Sequence, residues 1–492
     1  MGSLFPKKPR QKSKSEPLSS KIPLTDELLK KSLANMEDLE IIALNTNIGT
    51  VFLYYIKTLI DNERLNEVIV EPLNHCSKDQ IAKCLMNAKI EKLSNLEEAE
   101  KKIVQGSILL YDPTQNHWFA TLLETPLSRS IEPPETETVI YGAKDSFVEQ
   151  IDQNITMIRQ RLPVTALKTE TFNIGSLSRT KVVMMYIEDI TNPEFITIAR
   201  EKIKAIDFDQ FLDSSQVAAF MEDHKNTPFP QFLETERPDA CSNSLALGKI
   251  VFLVDKTAYG LVGPINFFHL FQSPEDYFLR WIIASFLRCI RFSSFFLALT
   301  LVPLYVAITT HNYEILPLQI LYVLLETRSK LPFTPFWEAT LMLITLEIIK
   351  EASLRMPTKS GQILGVIGGI VIGQATVQAG FVSNVFIVLV GISAIASFLV
   401  PNYLMTKIIT LLQFFLLVLS SLLGIPGIVL GMIIIIAHLV GLTSLKQPYF
   451  APITPLYLKD WNDLFIRGPL TSIKERPSFL SPLQRWRIKK RR

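Results

Sequence analysis

The stretch between Lys359 and Lys446 decides the fold, and it reads SGQILGVIGGIVIGQATVQAGFVSNVFIVLVGISAIASFLVPNYLMTKIITLLQFFLLVLSSLLGIPGIVLGMIIIIAHLVGLTSL. Lys407 is the only Asp, Glu, Lys or Arg residue within it. A helix needs about 20 apolar residues to cross a bilayer, so this stretch has room for about four spans. A soluble core can hide one such helix but hardly four in succession. The sequence therefore predicts a membrane-spanning helical bundle.

Working outward, apolar runs predict further spans on the N-terminal side of this stretch. The predicted spans are 292–310, 335–353, 361–379, 384–400, 408–424 and 427–445. The run Ile315–Leu325 has 11 residues, too few to cross, and indicates an interfacial or re-entrant segment. Six spans put most Lys and Arg residues on one side with both termini, which the positive-inside rule makes cytoplasmic. Four spans, with residues 310–355 lying on the surface, satisfy the rule nearly as well.

The first half of the chain carries charges throughout and alternates short apolar runs with amphipathic helices. One predicted helix opens at Asp61-Asn62-Glu63 and is stopped by Pro72, and another covers Lys144–Arg161. The predicted fold class is an α/β soluble N-terminal region with two similar subdomains, followed by an all-α polytopic membrane bundle. The predicted domains are a disordered basic tail (1–35), two α/β subdomains (36–160 and 161–262), an amphipathic linker (263–291), the bundle (292–446, four to six spans) and a basic cytoplasmic tail (447–492). The N-terminal tail is either solvated or in contact with anionic lipid headgroups.

Two segments of the soluble half resemble each other. Thr50–Glu71 and Lys181–Lys202 each contain a strand, a turn and a helix, with Tyr55 aligned to Tyr186 and Glu63 to Glu194. The similarity predicts two subdomains of one design, with chance convergence as the alternative.

The sequence shows no sign of catalysis. It lacks the phosphate-binding loop G-x-x-x-x-G-K-[ST], the nucleophile elbow G-x-S-x-G and the metalloprotease pattern H-E-x-x-H. The six histidines are scattered and the four cysteines form no C-x-x-C pair. We therefore predict a protein that is not an enzyme, with no cofactor, metal site, disulfide framework or nucleic-acid partner.

Small residues form a stripe in the third predicted span. Four glycines recur every fourth residue, where the missing Cβ atoms allow another helix to approach closely: Gly361, Gly365, Gly369 and Gly373. The stripe predicts either tight packing or a pore helix that must rotate or bend. Gln374 and Gln378 form a polar patch on the same helix, suited to interhelical hydrogen bonds or to an ion path.

Carboxylates occur in the second predicted span. Glu347 and Glu351 share one helix face, whereas Glu338 lies nearly opposite. A carboxylate in a bilayer is usually paired or lines water, so Glu347 and Glu351 are a candidate ion path. Lys350 and Arg355 are close enough in sequence to pair with them. On the membrane surface the same pairs would be a solvated face.

A charged motif connects the two parts of the soluble half. Glu236, Arg237 and Asp239 precede the apolar strand that ends near Val254. We expect Arg237 to hold a carboxylate bidentately, a geometry that lysine cannot copy.

Several motifs together resemble the A subunit of the GerA-type spore germination nutrient receptors, over residues 40–470. They include PFPQ (228–231), TERPD (235–239), FQSPEDY (271–277), EA (338–339 and 351–352), GQ (361–362), GQA (373–375), QAG (378–380) and PNY (401–403). The chain departs from the family at Leu343, where a glutamate is common, and at Lys350, where an arginine is common. Another departure is Lys144-Asp145-Ser146, where the family often has R-E-G.

The resemblance implies a multi-pass protein of the spore inner membrane that triggers germination when nutrient is present. It implies a permease-like B subunit and a lipoprotein C subunit as partners, and a homo-oligomer that conducts ions. A secondary transporter and a non-conducting scaffold of the receptor complex are the alternatives. A transporter would show inverted repeats with broken helices, and residues 292–445 show no such symmetry.

Overall fold

Two five-stranded antiparallel sheets and a series of helices build the chain. The computed structural model describes residues 22–46, 49–75, 84–85, 90–123, 134, 137, 139, 141–329, 331–355, 371 and 373–487. The chain divides into two units. One contains Met1–Ser128 and Pro163–Thr165, and the other contains Arg129–Leu162 and Ala166–Arg492.

The strands are β1 Leu39–Thr46, β2 Gly49–Ile56, β3 Ile90–Leu93, β4 Ser107–Asp112, β5 His117–Leu122, β6 Leu167–Ile174, β7 Thr180–Ile187, β8 Leu233–Thr235, β9 Ile250–Val254 and β10 Gly260–Gly263, with a short pair formed by β11 Thr443–Ser444 and β12 Gln447–Pro448. The helices are α1 Asp26–Ser32, α2 Asn62–Leu65, α3 Glu71–Asn74, α4 Leu96–Val104, α5 Ile151–Arg161, α6 Pro193–Lys204, α7 Ser214–Met221, α8 Pro238–Leu247, α9 Glu275–Phe278, α10 Trp281–Thr310, α11 Leu318–Arg328, α12 Pro335–Leu354, α13 Asn384–Phe398, α14 Tyr403–Leu423 and α15 Ile425–Gly441. A π turn, Asn66–Val70, joins α2 to α3, and 3-10 turns cover Lys57–Leu59, Phe267–Phe271, Tyr313–Ile315, Leu458–Asn462 and Ser478–Leu480.

The first unit is built on a sheet with strand order β1-β2-β4-β5-β3. Successive residues of a strand point to opposite faces, so β2 contributes side chains to two hydrophobic cores, one on each face of the sheet. Tyr54 packs with Trp118 and with Leu29 of α1, whereas Leu53 and Tyr55 pack on the other face with residues of α2 and α3.

The second unit contains a sheet with strand order β6-β7-β9-β10-β8. Both sheets have the same order and only antiparallel neighbours, so the prediction of two similar subdomains is confirmed. Val182 and Met184 of β7 face α6 and α7, whereas Val183 and Met185 face α5 and α8.

The structure corrects the predicted helix over residues 144–161 and its placement in the first subdomain. The helix begins at Ile151, because the Asn154 side chain exchanges two hydrogen bonds with the backbone of Val148 and holds that segment extended. Ile151, Ile155 and Ile158 pack on the second sheet, within the second unit.

Three further expectations fail in the N-terminal part. The predicted disordered tail overlaps α1, whose Leu29 is fully buried. Pro72 does not end its helix, because proline is accepted in the first turn of α3. Cys84 is disulfide-bonded, although a disulfide was not expected. One cross-link needs only two thiols in reach and no C-x-x-C spacing.

The second unit continues into the helices α10–α15. Two of the described helices are long and apolar enough to cross a membrane, α10 and α14. The predicted spans at 384–400 and 427–445 are helices of 15 and 17 residues. At 1.5 Å per residue these reach about 22–26 Å, short of about 30 Å of hydrocarbon. Most of the predicted span 361–379 lies outside the described residues.

The C-terminal segment predicted as a basic tail folds back on the second unit as far as residue 487. Ala451, Phe479 and Leu480 are buried against the core that α6 and α7 form on the second sheet. The Tyr449 hydroxyl donates to the Pro230 carbonyl at 2.6 Å and is itself buried. Apolar residues interspersed among the arginines drive this docking.

Candidate functional site

Two carboxylates of α12 meet one lysine of α14. Glu347 and Glu351 are one turn apart and therefore share a face of α12. The Lys407 ammonium, near the start of α14, lies 2.9 Å from Glu347 Oε1 and 3.3 Å from Glu351 Oε2. We call Glu347, Glu351 and Lys407 the clamp. It joins the second half of α12 to the first turns of α14.

The clamp is half-exposed. Its side chains retain 29% (Glu347), 47% (Glu351) and 34% (Lys407) of their accessible surface. An open groove of about 590 Å³ runs beside it, lined by Ile344, Ile348, Ala352 and Phe414 among others. The charges of the clamp can therefore be reached from outside the protein.

The ion pairs predicted from the sequence are present, and Lys407 adds a contact from another helix. Lys350 lies 3.8 Å from Glu347, and Arg355 lies 2.9 Å from Glu351. Sequence reasoning missed Lys407 as the partner of both carboxylates. The sequence could have indicated this pairing, since a single charge in a long apolar stretch needs an opposite charge nearby.

Glu338 forms a separate, fully buried contact. Its Oε1 accepts from the Ser383 backbone N–H at 2.8 Å, where α13 begins, and its Oε2 lies 3.3 Å from Arg328. Glu338 is 0% exposed. This carboxylate ties together the ends of α11, α12 and α13, and it is not part of the clamp.

The predicted glycine stripe falls mostly outside the described residues. Gly361, Gly365 and Gly369 are not among them. Gly373 is buried, and a Cβ there would lie 3.0 Å from Ile387 Cδ1, in agreement with close helix packing. Gln374 and Gln378 are exposed. These residues form no site with the clamp in the described part of the chain.

A second glycine pair makes the closest helix contact that is described. A Cβ on Gly427 would lie 2.1 Å from the Leu419 carbonyl oxygen, and one on Gly431 would lie 2.3 Å from Leu416 Cδ2. The two glycines are four residues apart in α15 and press it against α14. The four-residue spacing of these glycines in the sequence indicates such a contact, but sequence reasoning missed it.

Arg237 makes the bidentate contact expected from the sequence. Its Nε and Nη2 donate to the two Asp239 oxygens at 3.0 and 2.7 Å, and its other N–H groups reach the carbonyls of Glu137 and Ala143. Tyr259 donates to Glu236 at 2.9 Å. Burial raises the pKa of Glu137 to about 7. Arg237 is 0% exposed, so the motif is interior to the second unit.

A buried charge network joins α9, α10 and the C-terminal segment. Arg291 Nη1 lies 2.7 Å from Asp276 Oδ1, Arg288 Nε lies 3.1 Å from Asp276 Oδ2, and Arg288 Nη1 lies 2.9 Å from Asp463 Oδ1. We call Asp276, Arg288, Arg291 and Asp463 the junction network. Sequence reasoning missed this network, because charge counting does not show which arginines pair with carboxylates.

With this geometry in place, the chain can be compared with known proteins. A sequence profile described as "Bacillus/Clostridium GerA spore germination protein" matches residues 27–479. "Spore germination protein GerQA" of Bacillus cereus is 36% identical over 466 residues, 94% of this chain and 93% of that protein. The chain belongs to the GerA spore germination protein family. The family expected from the sequence motifs is thereby confirmed.

Two further relatives of the GerA family are similar to the chain. The "Uncharacterized membrane protein YfkQ" of Bacillus subtilis is 33% identical over 437 residues, 87% of this chain and 85% of that protein. The crystal structure of the N-terminal domain of the A subunit of the Bacillus megaterium spore germinant receptor GerK3 is 25% identical. The match covers 49% of this chain and 93% of that domain with a TM-score of 0.39.

Proposed function

We propose that this GerA-family chain is the A subunit of a nutrient receptor in the spore inner membrane, with both termini cytoplasmic. Its helical bundle forms, or helps to form, a cation path that opens when the clamp is released. The observation that carries the proposal is the geometry of Lys407, which holds both carboxylates of α12 from another helix.

The electrostatics of the clamp favour a closed and an open state. The clamp lines an open groove and keeps 29–47% of its side-chain surface, so its carboxylates can remain charged where they face water. While the clamp is paired, Lys407 offsets part of the charge that Glu347 and Glu351 present to a passing cation. Once Lys407 withdraws, the two carboxylates keep their contacts with Lys350 and Arg355 on their own helix, and they can replace part of a cation's hydration shell, as acidic residues do in cation channels.

The proposal requires several copies of the chain and other subunits. One bundle supplies one clamp, whereas a selective path needs a ring of carboxylates, so we propose a homo-oligomer. A permease-like B subunit and a lipoprotein C subunit would complete the receptor. Binding of nutrient by a partner can shift the clamp only if it favours the released state over the paired one.

Reconstitution tests the proposal. The full-length chain is placed in liposomes, alone and with its B and C subunits, and cation flux is followed with an ion-sensitive dye. We expect Lys407→Gln to increase flux at least tenfold without nutrient, because it removes the cation that occupies the carboxylates. Arg355→Gln is the matched control, since Arg355 is 78% exposed and touches only the outer carboxylate.

The rival functions give different results. A scaffold would leave every preparation without flux, including Lys407→Gln with both partners present. A secondary transporter would give flux only when a second solute gradient is supplied, and it would lose that flux in Lys407→Gln.

A further inference from the structure

A cavity of about 320 Å³ lies between the second sheet and the folded-back C-terminal segment, within the second unit. Its wall contains five cationic side chains: Lys249, Lys459, Lys474, Arg476 and Arg487. Three aromatic residues also line it: Tyr277, Phe479 and Trp486. The volume lies at the lower end of the range of about 300–1,000 Å³ that small-molecule sites occupy.

Lys249 is the innermost cation of the cavity. Gly248 adopts φ +96° after α8 and turns the chain, so that Lys249 precedes β9. The residue is 4% exposed, and its ammonium lies 2.8 Å from His269 Nδ1. Burial lowers the pKa of Lys249 to about 7. Among the described residues, this imidazole is the only side chain that hydrogen-bonds the Lys249 ammonium, and no carboxylate balances its charge.

Histidine does not supply the missing negative charge. Burial, together with the positive charges of Lys249 and Arg288, holds the pKa of His269 well below its usual value. His269 is therefore neutral and accepts a hydrogen bond from Lys249 through Nδ1. A neutral acceptor leaves the charge of a buried ammonium uncompensated.

Arg476, in the folded-back C-terminal segment, likewise has no carboxylate partner among the described residues. Its Nε donates to the Ala246 carbonyl at 2.8 Å, and its Nη1 donates to the carbonyls of Gln484 and Trp486 at 2.8 and 3.0 Å. These bonds orient the guanidinium but bring no carboxylate to it. Burial and the nearby Arg487 lower the pKa of Arg476.

The carboxylates that line the cavity are engaged elsewhere. Asp460 accepts from the backbone N–H groups of Ser478 and Phe479, and Glu475 pairs with Arg485 at 2.8 Å. Asp463 belongs to the junction network and also accepts from the Tyr277 hydroxyl at 2.8 Å. The wall therefore presents excess positive charge toward its own interior.

We propose that this cavity is a binding site for a phosphate-type oxyanion, with Lys249 and Arg476 as its main ligands. Phosphate takes several charged donors at once, and the aromatic residues leave room for a small organic group beside it. A free phosphorylated molecule and the headgroup of an anionic lipid share this chemistry. The site does not depend on whether the bundle conducts ions.

Thermal unfolding of the full-length protein tests the site. The protein is kept in maltoside detergent, which carries no phosphate, and is titrated with inorganic phosphate against chloride at equal ionic strength. Short-chain phosphatidylglycerol is titrated separately. We expect one of the two to raise the unfolding temperature of the wild type, because a ligand that binds only the folded state stabilises it.

Lys249→Met is the informative variant, because methionine fills the space of the lysine without its charge and should not impair folding. It should weaken the stabilising ligand at least tenfold. Lys168→Met is the matched control, since Lys168 is a buried lysine paired with Glu188 away from the cavity, and it should bind as the wild type does.

Each outcome is decisive. An effect of phosphate that Lys249→Met abolishes supports the site with a soluble ligand. An effect of phosphatidylglycerol alone, abolished in the same way, supports it with a lipid headgroup. No stabilisation of the wild type by either ligand, or equal stabilisation of Lys249→Met, overturns the proposal.

Discussion

The junction network and the clamp are both made of carboxylates and cations that join helices, but they differ in access to solvent. In the junction network, Asp276 and Arg288 are 0% exposed and each makes more than one charged contact, whereas Asp463 at the edge of the network keeps 31% of its side-chain surface. In the clamp, every member keeps between 29% and 47% of its side-chain surface, and one lysine serves two carboxylates.

Because of this difference, we expect the junction network to keep one arrangement and the clamp to change between a paired and a released one. Breaking a buried pair leaves an uncompensated charge, so the junction network has one stable arrangement. An exposed pair is worth about 0–1 kcal/mol, since solvent screens it and can replace either partner. In the function proposed above, a signal from a partner subunit releases the clamp, whereas the junction network fixes α10 and the C-terminal segment to each other.

The largest loss of folding stability is expected from Asp276→Asn. The change removes the carboxylate that two buried arginines share, and we expect a loss of about 3–5 kcal/mol of folding stability. Thermal unfolding of the purified protein, with the amount in the membrane as a second readout, measures it. Glu475→Gln is the control, because its pair with Arg485 is exposed and should matter by less than about 1 kcal/mol. Equal losses of stability for the two changes would contradict the claim that the junction network is held more firmly than an exposed ion pair.

Lys249 is a buried charge with no opposite charge beside it. Removing this charge should therefore stabilise the fold, whereas removing the Asp276 carboxylate should destabilise it. The pKa of Lys249 is about 7 in the folded protein against 10.5 unfolded, so the unfolded chain binds the proton more tightly. The buried charge therefore costs stability fully below pH 7, and the cost fades as the pH rises toward 10.5. At about 1.4 kcal/mol per pKa unit, Lys249→Met should stabilise the ligand-free protein by a few kcal/mol at pH 6. The gain should be smaller at pH 9.

The control for this prediction is Lys168→Met, which should not stabilise the protein at either pH. A gain for Lys249→Met that is the same at pH 6 and pH 9 would mean that better packing, not charge, explains it.

Gly427→Ala tests whether α14 is fixed on the side away from the clamp. The new methyl group would meet a backbone carbonyl, which cannot move aside, and we expect a loss of about 1–3 kcal/mol. Gly391→Ala, in the interior of α13 with nothing within 4 Å of the added Cβ, should be neutral or stabilising by up to about 1 kcal/mol. Unfolding in detergent compares the two. A neutral Gly427→Ala would show that α15 can slide along α14.

The smallest effect on folding is expected from Lys407→Gln. Because the clamp is half-exposed, its loss should change the unfolding free energy by less than about 1 kcal/mol in detergent. A loss of stability similar to that of Asp276→Asn would show that the clamp, like the junction network, holds the fold together and is not easily released.

Much of the fold could be predicted from local patterns. The alternation of apolar residues in β2 and β7 defined both strands, and the similarity between them anticipated the shared strand order. Contacts between distant residues could not be predicted in this way. Asn154 shortens its helix through a bond to Val148, and nothing in the periodicity shows that bond. The C-terminal segment looked like a solvated tail because its arginines outweigh Phe479 and Leu480 in composition.

The candidate site was predicted in part. Glu347 and Glu351 were identified from their spacing, because helix geometry places them on one face. Their partner Lys407 is about 60 residues away in sequence, and only the packing of α14 on α12 brings it there. The bidentate contact of Arg237 could be predicted, since Asp239 is a near neighbour, but the contacts of Arg237 lie within the second unit and join no two domains. Asp276 was noticed only as part of a family motif, because its arginines lie on the next helix.

The central claim is that Lys407 keeps a cation path closed. The most direct test is nutrient-free cation flux through liposomes containing the complete receptor, comparing wild type, Lys407→Gln and the charge-swapped pair Glu347→Lys with Lys407→Glu. We expect a flux at least tenfold above wild type for Lys407→Gln and a return toward the wild-type level for the swapped pair. A Lys407→Gln receptor that leaks no more than the wild type would contradict it.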